Sequence, residues 1–167
     1  MVGKELFSRE GIIHVWAERS GTRSVRFSNP DRKVTLSIPG TANTVVTVGA
    51  CNSSFPMKLL PMSSLGLTRD GRPKPELCAP GELITAAMAD AETDAAVQKS
   101  GTSMAAPHVT GATALVFSAR RKTGGRQFNA VQLGQALRLT TQHFSTVHNP
   151  SFGSGILDAE ELLNKLI

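Results

Sequence analysis

Several features that mark particular classes of protein are missing from this sequence of 167 residues. It has only two cysteines, Cys51 and Cys78, with no CxxC pair and no metal-ligand spacing. This argues against a disulfide framework and favours two buried free thiols. The longest apolar runs, such as residues 112–117, are far too short to cross a bilayer. Charged residues interrupt the first twenty positions, so no signal peptide is visible and the cellular compartment stays open.

The composition is typical of a packed domain. Apolar residues make up 40% and charged residues 19% of the chain, and the length suits one domain or a piece of a larger one. The net charge is +5, with one short basic cluster at Arg120, Arg121, Lys122 and Arg126. We interpret it as a solvated helix end rather than a nucleic-acid patch, because no aromatic residue or nucleic-acid motif accompanies it. We therefore expect no nucleic acid and no membrane as partner, and no metal, since no cluster of carboxylates forms a ligand set.

Two segments in the first fifty residues have the pattern of strands. Residues 11–17 alternate between two faces, which predicts a strand with His14 on one of them. Because nothing nearby needs a base or a metal ligand, we interpret His14 as a structural residue. After a turn at Pro39 and Gly40, residues 45–48 are β-branched throughout. That pattern predicts a strand buried on both faces of a parallel sheet.

The middle of the chain is rich in proline and in turn signals. Asp70 and Gly71 predict a turn, and the prolines around them exclude a regular helix. A short buried strand is predicted near residues 76–79. Residues 88–100 are small and polar, and they predict an exposed connection.

A long helix is predicted to begin near Ser103. Apolar residues recur on one helical face, and others fill much of the remaining surface, which is typical of a buried helix. Pro107 is tolerated because it falls in the first turn, where N–H groups lack partners within the helix. Gly111 in the helix interior predicts a close approach of neighbouring backbone.

Two further helices are predicted from their capping residues. Asn129 with Gln132, and Asp158 with Glu161, have the spacing of a capping box. Strand patterns followed by such helices predict an α/β fold with a parallel sheet.

The segment KSGTSMAAPHVTG, residues 99–111, carries the chemistry that the sequence suggests. A Gly-Thr turn delivers Ser103 to the start of the long helix, where the helix dipole and free N–H groups favour negative charge. Small residues follow, so Ser103 suits a nucleophile whose substrate oxygen becomes an oxyanion. The alternative is that the serine simply caps the helix.

Four segments, in one order, resemble the subtilisin-like serine proteases, the subtilases. GTSMAAPHVTG at residues 101–111 is similar to the serine motif of that family. Three other stretches resemble family segments before and after it: SIPGTANTVVTVGA at 37–50, SSLGLTRDGRPKPELCAPG at 63–81 and GSGILDAEELL at 153–163. The resemblance implies an α/β fold in which residues 1–167 are the C-terminal portion of one subtilisin-like domain. Such a portion would hold a partial doubly wound parallel sheet with flanking helices.

The resemblance also implies a role for each matched position. Ser103 would be the nucleophile of a serine endopeptidase that hydrolyses peptide bonds through an acyl-enzyme, and its own N–H would be one oxyanion donor. Thr102 would support the oxyanion site, and Ser37 would lie at the floor of the pocket for a substrate side chain. His108 would be the structural histidine of the motif, not the general base. Members of the family are often secreted, and we expect no cofactor.

The catalytic triad is incomplete in this sequence. The family runs Asp, His, Ser along the chain, yet no Asp-x-Gly in a strand context precedes Ser103, and no His-Gly or Gly-Asn pair occurs. We therefore expect an upstream segment or a partner chain to supply the histidine and the aspartate. The chain alone is predicted to be inactive toward its peptide or protein substrate. A new triad with His14 and Asp31 is rejected, because nothing places either residue beside the serine.

Two other functions compete with an active protease. One is a non-catalytic peptide-binding or regulatory remnant of a subtilase, which keeps the groove without the triad. The other is an unrelated α/β binding module that carries a capped, buried helix. The sequence also departs from the family pattern at Leu65, Leu67 and Glu76, where Arg, Pro and Asp are usual, which leaves the shape of the turn near residue 66 open.

Overall fold

The computed structural model describes residues 13–17, 27–89, 95–142 and 147–167. The chain divides into a small unit, Met1–Pro30, and a large unit, Asp31–Ile167. No helix in the described ranges is both long enough and apolar enough to cross a membrane.

In the small unit, the strand predicted at residues 11–17 does not form where the structure describes it. Residues 13–17 have irregular backbone, and the side chains of Ile13 and Val15 are 77% and 65% exposed. An alternating pattern becomes a strand only when another strand pairs with it, and the described residues of this unit provide none. His14 instead stacks on Trp16, with 5.8 Å between the ring centroids.

The large unit contains four short strands and three helices in its described residues. In chain order they are β1 (Val48–Cys51), β2 (Leu77–Pro80), β3 (Ile84–Ala87), β4 (Ala96–Lys99), α1 (Thr102–Lys122), α2 (Ala130–Leu139) and α3 (Ala159–Leu166). Strands β1 and β2 form a parallel pair, and β3 and β4 form an antiparallel hairpin. Helices that accompany a parallel strand pair confirm the predicted α/β fold.

The parallel pair lies at the centre of the large unit. Val48 pairs with Leu77 at the start of the ladder, and most residues of both strands are buried, as is usual for parallel strands. The first strand was predicted at residues 45–48 and begins three residues later. Val45 is 38% exposed, and its carbonyl accepts a hydrogen bond from a lysine side chain instead of joining the ladder. The second strand lies within one residue of its predicted position.

Helix α1 packs through one face only. It contacts β1, β2 and α3, and its buried residues follow the spacing of a single helical face: Ala105, Val109, Ala112 and Val116. The predicted burial all round is wrong, since Leu115 is 59% exposed. The close approach predicted at Gly111 is also wrong, because a Cβ added there would meet no atom of the described residues within 4 Å. The apolar composition of α1 predicted burial on every face. Among the described elements, β1, β2 and α3 pack against one face.

The β3–β4 hairpin replaces part of the exposed connection predicted for residues 88–100. Its ladder runs from Ile84 beside Lys99 to Ala87 beside Ala96. The segment is largely exposed, as predicted. The strands were missed because small side chains give little contrast between two faces, so the periodicity carries almost no strand signal.

Both predicted capping residues begin helices. Asn129 Oδ1 accepts a hydrogen bond from the Gln132 N–H at 2.9 Å, and Gln132 Oε1 accepts one from the Asn129 N–H at 3.1 Å. Asp158 Oδ1 accepts from the Glu161 N–H at 2.9 Å. These capping hydrogen bonds are local, and they mark where α2 and α3 begin.

The basic cluster at the end of α1 is tied into the fold through Arg120. Its guanidinium donates to the carbonyls of Arg126 and Leu166, both at 2.8 Å, and lies 4.4 Å from the centre of the Phe128 ring. The other members of the cluster are exposed. Arg120 therefore joins the last turns of α1 and α3.

Candidate active site

Ser103 lies exposed in the first turn of α1. The helix begins after Gly101, whose φ of 152° is unfavourable for residues with a side chain. The Gly101 carbonyl accepts hydrogen bonds from the N–H groups of Met104 and Ala105, at 3.0 and 3.3 Å. The alternative that the serine caps the helix is wrong, because the N-cap is Gly101 and no side chain caps α1. Among the described residues, the Ser103 hydroxyl makes no hydrogen bond.

Two glycines hold the start of α1 against the ends of the parallel strands. The Gly81 N–H donates to the Cys51 carbonyl at 2.9 Å, and the Gly101 N–H donates to the Gly81 carbonyl at 2.8 Å. A Cβ on Gly81 would lie 2.7 Å from the Gly101 oxygen and 2.9 Å from the Ala50 Cβ, which is closer than packed atoms come. Ser103 is thus held at the carboxyl end of the parallel strands, where open α/β sheets bind their ligands.

The first N–H groups of α1 are free to bind an anion. Those of Thr102 and Ser103 have no acceptor within the helix, and in the described ranges they donate to no other group. The positive end of the helix dipole acts in the same direction. A carbonyl oxygen that becomes negative during attack by Ser103 Oγ would be stabilised at this position.

Ser37 and Thr102, far apart in sequence, line one cavity of about 190 Å³, called here the Ser37 cavity. The turn that follows Ser37 is fixed to the segment before β1, because the Thr47 hydroxyl donates to the Gly40 carbonyl at 2.6 Å. The structure therefore brings Ser37 and Thr102 together, and Thr102 is the neighbour of Ser103. A role for Ser37 at the floor of a substrate pocket stays a prediction.

A second cavity, of about 400 Å³, opens on Ser103 itself. It lies between the β3–β4 hairpin and the first turns of α1, and we call it the hairpin cleft. Ser103, Met104 and His108 belong to its helix side. The two cavities therefore border the first two residues of α1, Thr102 and Ser103.

His108 is not placed to act as the base for Ser103. Its Nδ1 lies 2.9 Å from the Met104 carbonyl oxygen, and because a carbonyl only accepts, Nδ1 carries the proton. Five residues along a helix correspond to a rise of about 7.5 Å and a rotation of about 140°. A base must reach the hydroxyl at hydrogen-bond distance, so His108 stabilises the first turns of α1 instead.

The other acid and base considered from the sequence have different surroundings. Asp31 accepts a hydrogen bond from the Lys33 N–H at 2.9 Å in an exposed loop. His14 belongs to the small unit, where it stacks on Trp16. In the described part of the large unit, no imidazole or carboxylate forms a hydrogen bond with Ser103.

A buried ion pair beside the Ser37 cavity was not predicted from the sequence. Lys74 Nζ lies 2.9 Å from Glu76 Oε1, and the two side chains are only 3% and 8% exposed. Lys74 also donates to the Val45 carbonyl at 2.6 Å, and Glu76 accepts from the Thr47 N–H at 2.7 Å. The pair therefore fixes the segment that leads into β1. Its sequence signal is weak: residues i and i+2 of an extended chain point to the same side.

The two thiols are buried and free, as the sequence predicted. Burial raises the pKa of Cys51 and of Cys78, and the proximity of Cys51 raises that of Cys78 further. The thiolate is the nucleophilic form of cysteine and a raised pKa disfavours it, so neither thiol competes with Ser103. In the described ranges, no group of three or more His, Cys, Asp or Glu side chains is arranged to hold a metal ion.

Known proteins resemble this chain in both sequence and fold. A family model described as the subtilase family matches residues 4–155. An extracellular basic protease of Dichelobacter nodosus is 32% identical over 83% of the chain. The chain spans 22% of the length of that relative.

Two proteases of known structure have a fold similar to that of this chain. The CspB protease of Clostridium perfringens superposes with a TM-score of 0.72 and 31% identity, over 84% of this chain and 31% of that protein. The prenylagaramide maturation protease PagA superposes with a TM-score of 0.67 and 26% identity, over 82% of this chain and 48% of that protein. In each comparison the similarity covers most of this chain and less than half of the relative.

Proposed function

This chain belongs to the subtilase family, and on that premise we propose that it carries the nucleophile of a serine endopeptidase that hydrolyses peptide bonds. The observation that supports this most directly is the state of Ser103. Its hydroxyl is exposed, without a hydrogen bond in the described ranges, and next to two free N–H groups at the start of α1. This is the environment that a serine nucleophile needs.

The proposed reaction assigns a step to each group. Ser103 Oγ attacks the peptide carbonyl carbon and gives its proton to a base. The carbonyl oxygen becomes an anion that the Ser103 N–H stabilises, supported by Thr102. Collapse of this intermediate breaks the C–N bond, the amine leaves with a proton, and water then hydrolyses the acyl-enzyme. The Ser37 cavity would take a substrate side chain on the acyl side of the bond.

The histidine and aspartate of the reaction would come from outside this chain, from an upstream segment or a partner chain. Removing the histidine of a subtilisin triad lowers turnover about a million-fold. His108, whose Nδ1 hydrogen is held by Met104, offers no replacement. The chain by itself is therefore proposed to be catalytically negligible.

Labelling with a fluorophosphonate tests this proposal. The chain alone should not be labelled, whereas a longer protein or complex that restores the histidine and aspartate should be labelled on Ser103. The label should be lost in Ser103→Ala and retained in Ser118→Ala, a matched change of an exposed serine on the same helix. Strong labelling of the chain alone would contradict the missing base. A completed protein that binds peptides without being labelled would favour the non-catalytic remnant.

A further inference from the structure

In the described residues, the hairpin wall of the cleft is apolar except for one lysine. Ile84 and Lys99 are direct cross-strand partners, and partners in a ladder point to the same face of the pair. Val97 lies two residues before Lys99 on that face, and all three line the cleft. On the opposite face, Gln98 donates to the Thr85 hydroxyl at 3.1 Å. Lys99 is therefore directed to the same cavity as Ser103.

Lys99 is the one cationic side chain among the described residues that line this cleft, apart from the titratable His108. It is exposed and has no ion pair among the described residues. Among the described residues, no carboxylate lines the cavity, the one other titratable side chain is that of His108, and the rest of the lining is apolar apart from Ser103. Lys99 also lies at the base of the hairpin, where Ser100 accepts a hydrogen bond from the Leu83 N–H at 2.9 Å. Its backbone position is thus fixed next to the start of α1.

We propose that Lys99 is a specificity-determining residue that selects an acidic side chain, best a glutamate, in the peptide segment that enters the hairpin cleft. The inference rests on the proposed function and gives it a substrate class. The apolar walls contact the methylene part of the side chain, and its carboxylate pairs with the exposed ammonium group of Lys99. The Ser37 cavity would bind a substrate side chain on the acyl side of the cleaved bond. The glutamate in the hairpin cleft therefore belongs to the leaving-amine side.

Equilibrium binding to the 167-residue chain tests this selectivity without needing catalysis. The probes are fluorescein-labelled alanine hexapeptides that carry one Glu, Gln or Lys at each position in turn, measured by fluorescence anisotropy at low salt. At the preferred position, the Glu peptide should bind about threefold more tightly than the Gln peptide, the range typical of a solvent-accessible ion pair. Lys99→Met should abolish this preference, and Lys99→Glu should reverse it in favour of the Lys peptide.

Two control variants make the result specific. Lys122→Met removes an exposed cation at the far end of α1, and it should leave the preference unchanged. Ser118→Ala changes an exposed serine further along α1 that does not line the cleft, and it should also leave the preference unchanged. Equal binding of Glu and Gln peptides, an absence of binding, or a preference that survives Lys99→Met would overturn the role of Lys99. Failure of the proposed hydrolysis would appear separately, as a completed protein that is not labelled on Ser103.

Discussion

Two ion pairs with the same spacing follow one another in the loop before β2, and they differ in their burial. The Asp70 and Arg72 side chains are 60% and 35% exposed, whereas those of Lys74 and Glu76 are 3% and 8% exposed. Their N–O distances are nearly equal, 2.8 and 2.9 Å. In both pairs the two-residue spacing allows the partners to share one side of the chain. The pairs therefore separate the effect of burial from the effect of geometry.

The remaining hydrogen bonds of the two cations follow the same division. Lys74 Nζ donates to Glu76, to the Val45 carbonyl and to the Thr47 hydroxyl. All three of its donors are used, as a charge removed from water requires. Arg72 donates to Asp70 and to the Thr41 carbonyl, while its Nη1 finds no partner among the described residues. The buried pair is thus complete and the exposed one is not.

Both pairs act on the same part of the molecule. The segment of residues 37–47 borders the Ser37 cavity; we call residues 45–47 its base and Thr41 its tip. Lys74 and Glu76 form hydrogen bonds with the base, and Arg72 forms one with the tip. Removing half of a buried pair leaves an unpaired charge out of water, whereas removing half of an exposed pair does not. The expected losses of stability therefore differ although the spacing is the same.

The largest effect is expected for Lys74→Ala. The change leaves the Glu76 carboxylate buried without its cation, which typically costs about 3–5 kcal/mol. Urea unfolding followed by circular dichroism measures the change in unfolding free energy. The matched control, Lys33→Ala, removes an exposed lysine and should stay within about 0.5 kcal/mol of the unchanged chain.

A double variant shows whether the loss comes from the unpaired charge. Lys74→Met with Glu76→Gln removes both charges, while the amide oxygen can still accept from the Thr47 N–H. It should recover about 2 kcal/mol relative to Lys74→Ala, within the range of coupling energies measured for contacting residues. If Lys74→Ala costs less than Arg72→Met, burial does not govern these two pairs and the comparison fails.

A smaller effect is expected for the exposed pair. Arg72→Met breaks the contacts with Asp70 and Thr41 and should lower the unfolding free energy by about 1 kcal/mol or less, because water replaces the cation. Arg69→Met is the matched control, since Arg69 is a neighbouring exposed arginine without a hydrogen bond among the described residues. A loss as large as that of Lys74→Ala would show that the tip of the segment matters as much as its base.

Local sequence patterns predicted where the helices begin, but they did not predict contacts between residues far apart in the sequence. The starts of α2 and α3 were predicted because Asn129 and Asp158 cap through residues three positions away. The position of Ser103 at a helix start was predicted for the same reason, since a short turn and a helix are local structures. A substrate-pocket role for Ser37 comes only from the resemblance to a family and stays a prediction, because no local pattern joins Ser37 to the start of α1.

Tertiary surroundings decided the features that were missed. Lys74 and Glu76 are ordinary charged residues in the sequence, and only their burial makes them important. Leu115 is as apolar as the residues that α1 buries, yet no described element covers it. The β3–β4 hairpin pairs strands of largely exposed residues. In each case the feature depends on which other part of the protein packs against the residue. The sequence alone does not show that packing.

The smallest effect is a change in the titration of Asp70. Hydrogen bonds from Arg72 and then from Thr68 lower the pKa of its carboxyl to about 2, against about 3.9 in an unfolded chain. Because the folded pKa is the lower one, the resulting stability is fully present above about pH 4 and is lost as the pH falls toward 2. NMR titration of the Asp70 carboxyl should give a midpoint near 2 that rises toward the ordinary value in Arg72→Met, but not in Arg69→Met. A midpoint that stays low in Arg72→Met would mean that the exposed pair contributes nothing electrostatically. Lys74 and Glu76 would then form an ion pair, whereas Asp70 and Arg72 would only lie near each other.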